Sequence, residues 1–200
     1  MIAALLCAAF LIGSIPFGYL IGRVFYRTDI RKQGSGNIGA MNALRTLGSG
    51  GAVAVLLLDA LKGFVPTFVA VAFFRSDVLG ATVAAATILG HCFSPWLRWR
   101  GGKGVATSFG AIFGLSWQAG LVTVAAWLAG AAATHYSSVG SMLGSLVAPL
   151  AIFFFTRSAA ETAYGLFAAI LVIVKHRENI GRLIAGTEGP IRFSRRSSKE

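Results

Sequence analysis

The chain has 200 residues, of which 56% are hydrophobic and only 12% are charged. Because soluble domains carry roughly 25% charged residues, this composition excludes an ordinary soluble domain and indicates an integral membrane protein. The net charge of +11 does not indicate nucleic-acid binding, since the basic residues lie between and after the apolar runs, as the positive-inside rule expects. The two cysteines, Cys7 and Cys92, are too few for a disulfide framework or a metal site, and we expect both to be buried thiols.

The first apolar run, Ile2 to Ile21, is predicted to be a retained transmembrane helix. No basic residue precedes it, whereas a signal peptide begins with a positive region and has a shorter apolar core. The basic residues follow the run instead, beginning with Arg23 and Arg27. The positive-inside rule therefore places the N-terminus outside.

Further apolar stretches predict an all-α integral membrane protein, a bundle of spanning helices. A spanning helix needs about 20 apolar residues. The clear candidates are 2–22, 51–74, 78–97 and 160–176. Trp117-Gln118 and 135–138 interrupt the remaining apolar stretch, which yields three further spans at 104–116, 119–134 and 139–156. The predicted count is seven transmembrane helices, with five as the alternative.

The charge distribution favours the seven-helix arrangement with a cytoplasmic C-terminus. Of the 18 lysines and arginines, all but Arg75, Arg157 and the intrahelical Lys62 then lie on the inner side. The chain has no internal repeat, and its loops are too short to fold alone, so residues 1–200 are predicted to form one domain. Residues 191–200 are predicted to be a mobile basic tail.

The first glycine segment, Gly34 to Arg45, has glycines at 34, 36 and 39 that allow tight turns. Ser35, Asn37 and Asn42 offer hydrogen bonds, and Arg45 offers a bidentate fork for a phosphate. This pattern is typical of an anion-binding loop. A flexible loop that caps a helix is an equally good interpretation of the spacing.

The second glycine segment, Arg100 to Thr107, contains Gly101-Gly102-Lys103-Gly104 directly before an apolar helix. Backbone N–H groups at a helix N-terminus, beside a lysine, favour a bound phosphate. The full P-loop spacing is absent, and no acidic residue stands nearby to hold magnesium, which favours a phosphate cradle without a metal over a nucleotide triphosphatase. The alternative is a positively charged anchor whose glycines serve helix packing.

A third cluster follows the last apolar run, where His176, Asn179 and Arg182 recur every three residues and share a face if the helix continues. An ordinary basic helix end is the alternative.

Within the second span, Asp59 and Lys62 stand three apart, either as an ion pair or in contact with a ligand. His91 is expected to form an interhelical hydrogen bond. The serines at 137, 138 and 141 either pack helices or line the site.

Seven short motifs in fixed order carry a family resemblance over nearly the whole chain. They are Gly13-Ser14-Ile15-Pro16-Phe17-Gly18, Gly34-Ser35-Gly36-Asn37, Leu58-Asp59-Ala60-Leu61-Lys62-Gly63, Gly90-His91, Gly101-Gly102-Lys103-Gly104-Val105-Ala106-Thr107, Tyr136-Ser137-Ser138 and Lys175-His176 through Leu183. In this order they resemble the bacterial glycerol-3-phosphate acyltransferases that use acyl phosphate, the PlsY family. Met41 departs from that pattern, because the family has threonine there, and a ligand role for this position is in doubt.

The resemblance implies a seven-helix enzyme of the bacterial inner membrane with a cytoplasmic active site. It would transfer a fatty acyl group from acyl phosphate to the 1-hydroxyl of sn-glycerol 3-phosphate, giving lysophosphatidic acid and inorganic phosphate. This is the first acylation of phospholipid synthesis, without acyl-CoA or acyl carrier protein as direct donor. Neither a metal, a cofactor, a nucleic acid nor an obligate protein partner is implied.

Within that family, the clusters above predict the site. The predicted catalytic residues are Lys103, Ser35, Arg45, His176 and Asn179. The predicted phosphate- and substrate-binding residues are Gly34, Gly36, Asn37, Asn42, Gly101, Gly102, Gly104, Thr107, Ser138, Ser141, Arg182 and Glu188. No nucleophile is apparent, and none is required for a donor that is already activated. The hydroxyl proton would leave to the donor's phosphate, with His176 as the rival base.

A membrane transporter of phosphorylated metabolites is the main alternative function. Such a protein usually has charged or glycine-broken spans at mid-membrane in paired halves, and this chain shows no second half that mirrors the first. A non-catalytic membrane scaffold is a third interpretation, but it would leave two phosphate-type loops unexplained.

Overall fold

A computed structural model describes residues 1–191 of the chain. Over these residues the backbone forms α-helices and two short 3-10 turns, with no β-strand. The helices are α1 (Ile2–Ser14), α2 (Phe17–Phe25), α3 (Ala40–Phe74), α4 (Asp77–Cys92), α5 (Val105–Leu115), α6 (Trp117–Thr134), α7 (Ser137–Thr156), α8 (Ala159–Lys175) and α9 (Arg177–Ile184). The predicted all-α fold is confirmed for this part of the chain. Apart from Ile191, the predicted mobile tail lies outside the described residues.

Helix length and apolarity identify between three and five spans among the described helices. Ala40–Phe74, Asp77–Leu97 and Ser137–Thr156 are each long and apolar enough to cross a membrane. Two bent pairs, α1 with α2 and α8 with α9, each qualify if the pair is one span. The count of seven stays a prediction.

The predicted single helix over residues 2–22 is wrong, because the structure divides it into α1 and α2 with a bend of 44°. Pro16 lies at the break and lacks a backbone N–H. The carbonyls freed at the break are satisfied by distant side chains, since Ser94 Oγ donates to the Ser14 carbonyl and Lys62 Nζ to the Ile15 carbonyl, both at 2.7 Å. In lipid such partners are required, because no water is available to hydrate a broken helix.

The buried core lies between α4, α5, α7 and α8, where Ile88, Ile112, Ile152 and Val172 are each at most 1% exposed. Other faces of the helices carry large exposed apolar side chains, which is the pattern expected of lipid contact. Cys92 is buried as predicted, but Cys7 is exposed on the surface of α1. The prediction for Cys7 is therefore wrong, because its position on an apolar helix did not reveal which face it occupies.

Close contact between α3 and α5 positions the site. A Cβ added to Gly63 of α3 would collide with the Thr107 carbonyl, and one added to Gly110 of α5 would collide with the Ala60 carbonyl. Small residues of this kind let helix backbones approach closely in membranes. Gly48, at φ +83°, kinks α3 and separates its first turns from the long span. The two glycine segments thereby meet at one end of the bundle.

Candidate active site

One cavity of about 410 Å³ opens between α3, α5, α6, α7 and the junction of α8 with α9. Polar side chains from both glycine segments, α7 and the last helix pair line one end of it. They are Ser35, Asn37, Asn42, Arg45, Lys103, Ser137, Ser138, Ser141, His176, Asn179 and Glu188. Apolar side chains from α3, α5 and α6 line the rest of it, namely Leu56, Ala60, Phe109, Phe113, Val124 and Trp127. The cavity therefore has a polar end and an apolar arm.

The first glycine segment is held in shape by Asn42, which is only 2% exposed. Its Oδ1 accepts a hydrogen bond from the Ser35 backbone N–H at 2.8 Å. Its Nδ2 donates to the carbonyls of Ile30 at 2.7 Å and Asn37 at 2.8 Å. Asn42 therefore fixes the loop that presents Ser35 and Asn37 to the cavity, and it does not cap the helix, which begins after Gly39.

In the second glycine segment, backbone N–H groups that were predicted to bind a phosphate form hydrogen bonds within the protein instead. The N–H groups of Gly101 and Gly102 donate to the carbonyls of Cys92 and His91 at the end of α4, at 3.2 and 3.1 Å. They are not free to bind a phosphate. Val105 and Ala106 instead line the cavity at the first turn of α5, where backbone N–H groups have no partner within the helix.

Gly104 makes that helix start possible. It is the N-cap of α5 at φ +86°, and a Cβ there would also crowd Ile88 and Cys92. Six predicted binding residues, in contrast, are not among the residues that line the cavity. They are Gly34, Gly36, Gly101, Gly102, Thr107 and Arg182.

A hydrogen-bond chain joins four segments at the polar end. Lys103 Nζ donates to Asn179 Oδ1, and Asn179 Nδ2 donates to Glu188 Oε1 at 2.6 Å. Ser138 Oγ donates to the same carboxylate oxygen at 2.9 Å, while Arg182 Nε donates to Oε2 at 2.7 Å. Glu188 thereby fixes the Asn179 amide, and the amide fixes the Lys103 ammonium.

Two cations at the polar end are not matched by a carboxylate within residues 1–191. The lining carboxylates have their own partners, since Asp59 pairs with Lys62 and Glu188 with Arg182, each at 2.7 Å. Within residues 1–191, Arg45 donates only to the Gly189 carbonyl, at 3.3 Å. This leaves Arg45 and Lys103 to attract anions.

The pKa values of the hydrogen-bond chain follow from its surroundings. Burial, reinforced by the nearby Arg182 charge, lowers the pKa of Lys103. Partial burial of Glu188 acts to raise its pKa, but hydrogen bonds from Asn179, Arg182 and Ser138 outweigh it and lower the pKa. Glu188 therefore remains a carboxylate at neutral pH.

His176 uses one ring nitrogen in a hydrogen bond to the backbone. Its Nδ1 lies 2.8 Å from the Val172 carbonyl, which can only accept a hydrogen bond, so Nδ1 carries the proton. Nε2 is then the nitrogen that can accept a proton or a hydrogen bond. Ser141 is less available, because its hydroxyl donates to the Ser137 carbonyl at 2.8 Å and accepts from Trp127 Nε1 at 3.3 Å.

Comparison with known proteins decides the family. Residues 3–186 match a family model described as glycerol-3-phosphate acyltransferase. The chain belongs to this family. A glycerol-3-phosphate acyltransferase of Mesorhizobium japonicum is 45% identical over 182 residues, which cover 91% of this chain and 92% of the relative. Glycerol-3-phosphate acyltransferase 2 of Thermotoga maritima is 42% identical over 187 residues, which cover 94% and 95% of the two chains.

The fold matches solved structures of the same family. A crystal structure of PlsY (YgiH), an integral membrane glycerol 3-phosphate acyltransferase in its glycerol 3-phosphate form, has a TM-score of 0.91 and 35% identity, with 96% of each chain covered. The lysophosphatidic acid form has a TM-score of 0.88 and 34% identity, again with 96% of each chain covered. The predicted family is confirmed, and this acyltransferase is a multi-pass membrane protein.

Residues that the sequence did not assign to the site also line the cavity of this acyltransferase. Asp59 and His91 reach it from α3 and α4, with His91 Nδ1 at 3.7 Å from Asp59 Oδ1. The apolar arm was not predicted residue by residue. Within residues 1–191, no three His, Cys, Asp or Glu side chains are grouped so as to hold a metal ion.

Gly102→Ala should lower acyltransferase activity by at least tenfold. The new Cβ would collide with the His91 ring, which is 4% exposed and has little room to move, so the loop that carries Lys103 must shift. Initial rates of acyl transfer measure the effect. Gly181→Ala is the matched control, since no atom lies within 4 Å of its added Cβ; a loss of the same size there would contradict this account.

Proposed function

We propose that the protein transfers a fatty acyl group from acyl phosphate to the 1-hydroxyl of sn-glycerol 3-phosphate. The products are lysophosphatidic acid and inorganic phosphate. One observation carries this proposal: a single cavity joins a cationic polar end to an apolar arm. Such a cavity suits two phosphate-bearing reactants, one of which has a hydrocarbon tail.

The polar end has the groups needed to hold both reactants. Lys103, with the first turn of α5, is suited to one phosphate, and Arg45 with Ser35 is suited to the other. His176 and Asn179 line the same cavity and would border the glycerol phosphate. The solved relatives in glycerol 3-phosphate and lysophosphatidic acid forms support these two ligands for the family.

The reaction requires no covalent intermediate on the protein. The 1-hydroxyl oxygen attacks the acyl carbonyl carbon, the bond from that carbon to the phosphate oxygen breaks, and phosphate leaves with the electron pair. The hydroxyl proton passes to the departing phosphate, with His176 Nε2 as the alternative acceptor. Two hydroxyls at the site are already engaged, since Ser138 donates to Glu188 and Ser141 to a backbone carbonyl. Proximity and electrostatic stabilisation then supply the catalysis.

We also propose seven spans in a bacterial inner membrane, an external N-terminus and a cytoplasmic active site. The convergence of both glycine segments on one cavity supports this topology, because the two must then lie on the same side. Single cysteines at Trp99→Cys and Arg157→Cys, each in a chain whose Cys7 and Cys92 are replaced by alanine and labelled from either side of sealed vesicles, test it. The two should react from opposite sides, and labelling from one side would overturn the arrangement.

The function is tested with protein purified in detergent, palmitoyl phosphate and labelled glycerol 3-phosphate. We expect labelled 1-acyl lysophosphatidic acid and one phosphate per turnover, and no product when palmitoyl-CoA or acyl carrier protein thioester replaces the donor. Product from the thioesters alone would overturn the choice of donor. Counterflow of labelled glycerol 3-phosphate into liposomes without acylated product would indicate the transporter instead.

A further inference from the structure

We propose that Phe113 sets the length of acyl chain that the enzyme prefers, by closing the deep end of the apolar arm. The inference rests on the proposed function, because it takes the arm to hold the acyl chain. It concerns the specificity of the reaction and not its chemistry.

The arm is a wedge between α5 and α6. The two helices are joined through Ser116 alone, so they converge at that end and separate toward the polar end. Phe113 lies two residues before the end of α5, and Val124 lies well inside α6. These are the lining residues nearest the α5–α6 connection on their two helices.

Helix geometry gives the depth of the wedge. Phe113 is nine residues beyond Gly104, or about 13.5 Å at a rise of about 1.5 Å per residue. Val124 is ten residues from the end of α6 at Thr134, or about 15 Å by the same rise. An extended alkyl chain advances about 1.3 Å per carbon, given C–C bonds of about 1.5 Å, so roughly ten carbons reach Phe113. Longer chains must bend there.

The Phe113 ring is a firm barrier. A Cβ added to Gly120 of α6 would lie 2.5 Å from the ring carbon Cγ of Phe113, so the ring fills the space that the glycine leaves. Phe109, one turn nearer the polar end, is 8% exposed and packs toward Gly144 of α7, which leaves it as a side wall. Leu56, on α3, is 48% exposed and marks the side on which the arm opens.

Phe113→Ala should shift the chain-length preference toward longer donors. A methylene that gains burial is worth about 0.8 kcal/mol, or roughly fourfold in relative kcat/KM. With two more methylenes buried, the ratio of kcat/KM for C18 over C12 acyl phosphate should therefore rise roughly 15-fold. Val124→Phe, which fills the same end, should lower that ratio. Phe154→Ala is the matched control, because this phenylalanine is 62% exposed on α7, and its ratio should equal that of the wild type.

Binding of lysophosphatidic acids separates this inference from the proposed function. Affinities for C12, C16 and C18 species, measured by thermal shift in detergent, need no turnover and no particular donor. Phe113→Ala should strengthen binding of the C18 species relative to C12 by a similar factor. An unchanged ratio in both variants would show that the chain leaves past Leu56 into the bilayer, and would overturn the inference. Absent turnover of acyl phosphate with a shifted binding ratio would overturn only the reaction.

Discussion

Lys103→Ala should lower acyl transfer by about 10³-fold while the protein remains folded, since removing one preorganised group that stabilises developing charge costs about 10²–10³ in rate. Lys103 lines the cavity and is aimed by the Asn179 amide, which Glu188 holds in turn. The variant loses the ammonium and also frees the amide that oriented it. Initial rates of lysophosphatidic acid formation, with thermal unfolding as the check on folding, measure the result.

Two further variants show whether the loss of rate in Lys103→Ala comes from the missing charge or from altered packing. Lys32→Ala removes an exposed lysine outside the cavity and should leave the rate unchanged. Burial lowers the pKa of Lys103, so wild-type activity should fall on the alkaline side before an ordinary lysine loses its proton, near pH 10.4. In Lys103→Arg any residual activity should persist to higher pH. Near-normal turnover of Lys103→Ala would remove this residue from the active site.

The sequence predicted the polar side chains of the site better than its backbone. Ser35, Arg45, Lys103, His176 and Asn179 all line one cavity, although the chain separates them by up to 144 residues. Polar residues of this kind stand out because they are rare in an apolar chain. The family resemblance then assigned them to one site. Their chemical roles stay proposals.

The backbone of the second glycine segment was not predictable in the same way. Gly101 and Gly102 have N–H groups that a sequence cannot assign, since the carbonyls at the end of α4 compete with a phosphate for them. Thr107 faces α3, where its backbone fills the space beside Gly63. Gly101 and Gly102 thus let their loop pack closely against the end of α4. Packing by these glycines was the alternative interpretation of the segment.

Neither the apolar arm nor the break between α1 and α2 could be predicted from the pattern of apolar residues. Phe109 and Phe113 lie in a helix that is apolar throughout, so periodicity does not separate cavity-lining from lipid-facing or core positions. The break after Ser14 depends on Lys62 and Ser94, which reach it from distant parts of the chain. Tertiary contacts of this kind decide where a membrane helix can bend.

Lys62→Ala should destabilise the protein by about 3–5 kcal/mol, the range found when one partner of a buried ion pair is removed. Lys62 Nζ lies 2.7 Å from Asp59 Oδ1, and both side chains are 2% exposed. The same ammonium donates to the Ile15 carbonyl at the helix break. Its loss therefore leaves a buried carboxylate and a backbone carbonyl without their cation. Chemical unfolding in detergent micelles measures the loss.

The Arg31–Asp29 pair is the control, because its atoms are also 2.7 Å apart and the Asp29 side chain is 7% exposed, but the Arg31 side chain is 39% exposed. Ion pairs that reach solvent contribute about 1 kcal/mol or less, so Arg31→Ala should cost less than Lys62→Ala. The double variant Asp59→Asn with Lys62→Met should recover part of the loss, since it removes the unpaired charge but leaves the Ile15 carbonyl with the Phe17 backbone N–H at 3.1 Å and without the ammonium. Equal losses in Lys62→Ala and Arg31→Ala would contradict a structural role for the buried pair. The helix break would then have to be held by the Ser94 hydrogen bond and packing alone.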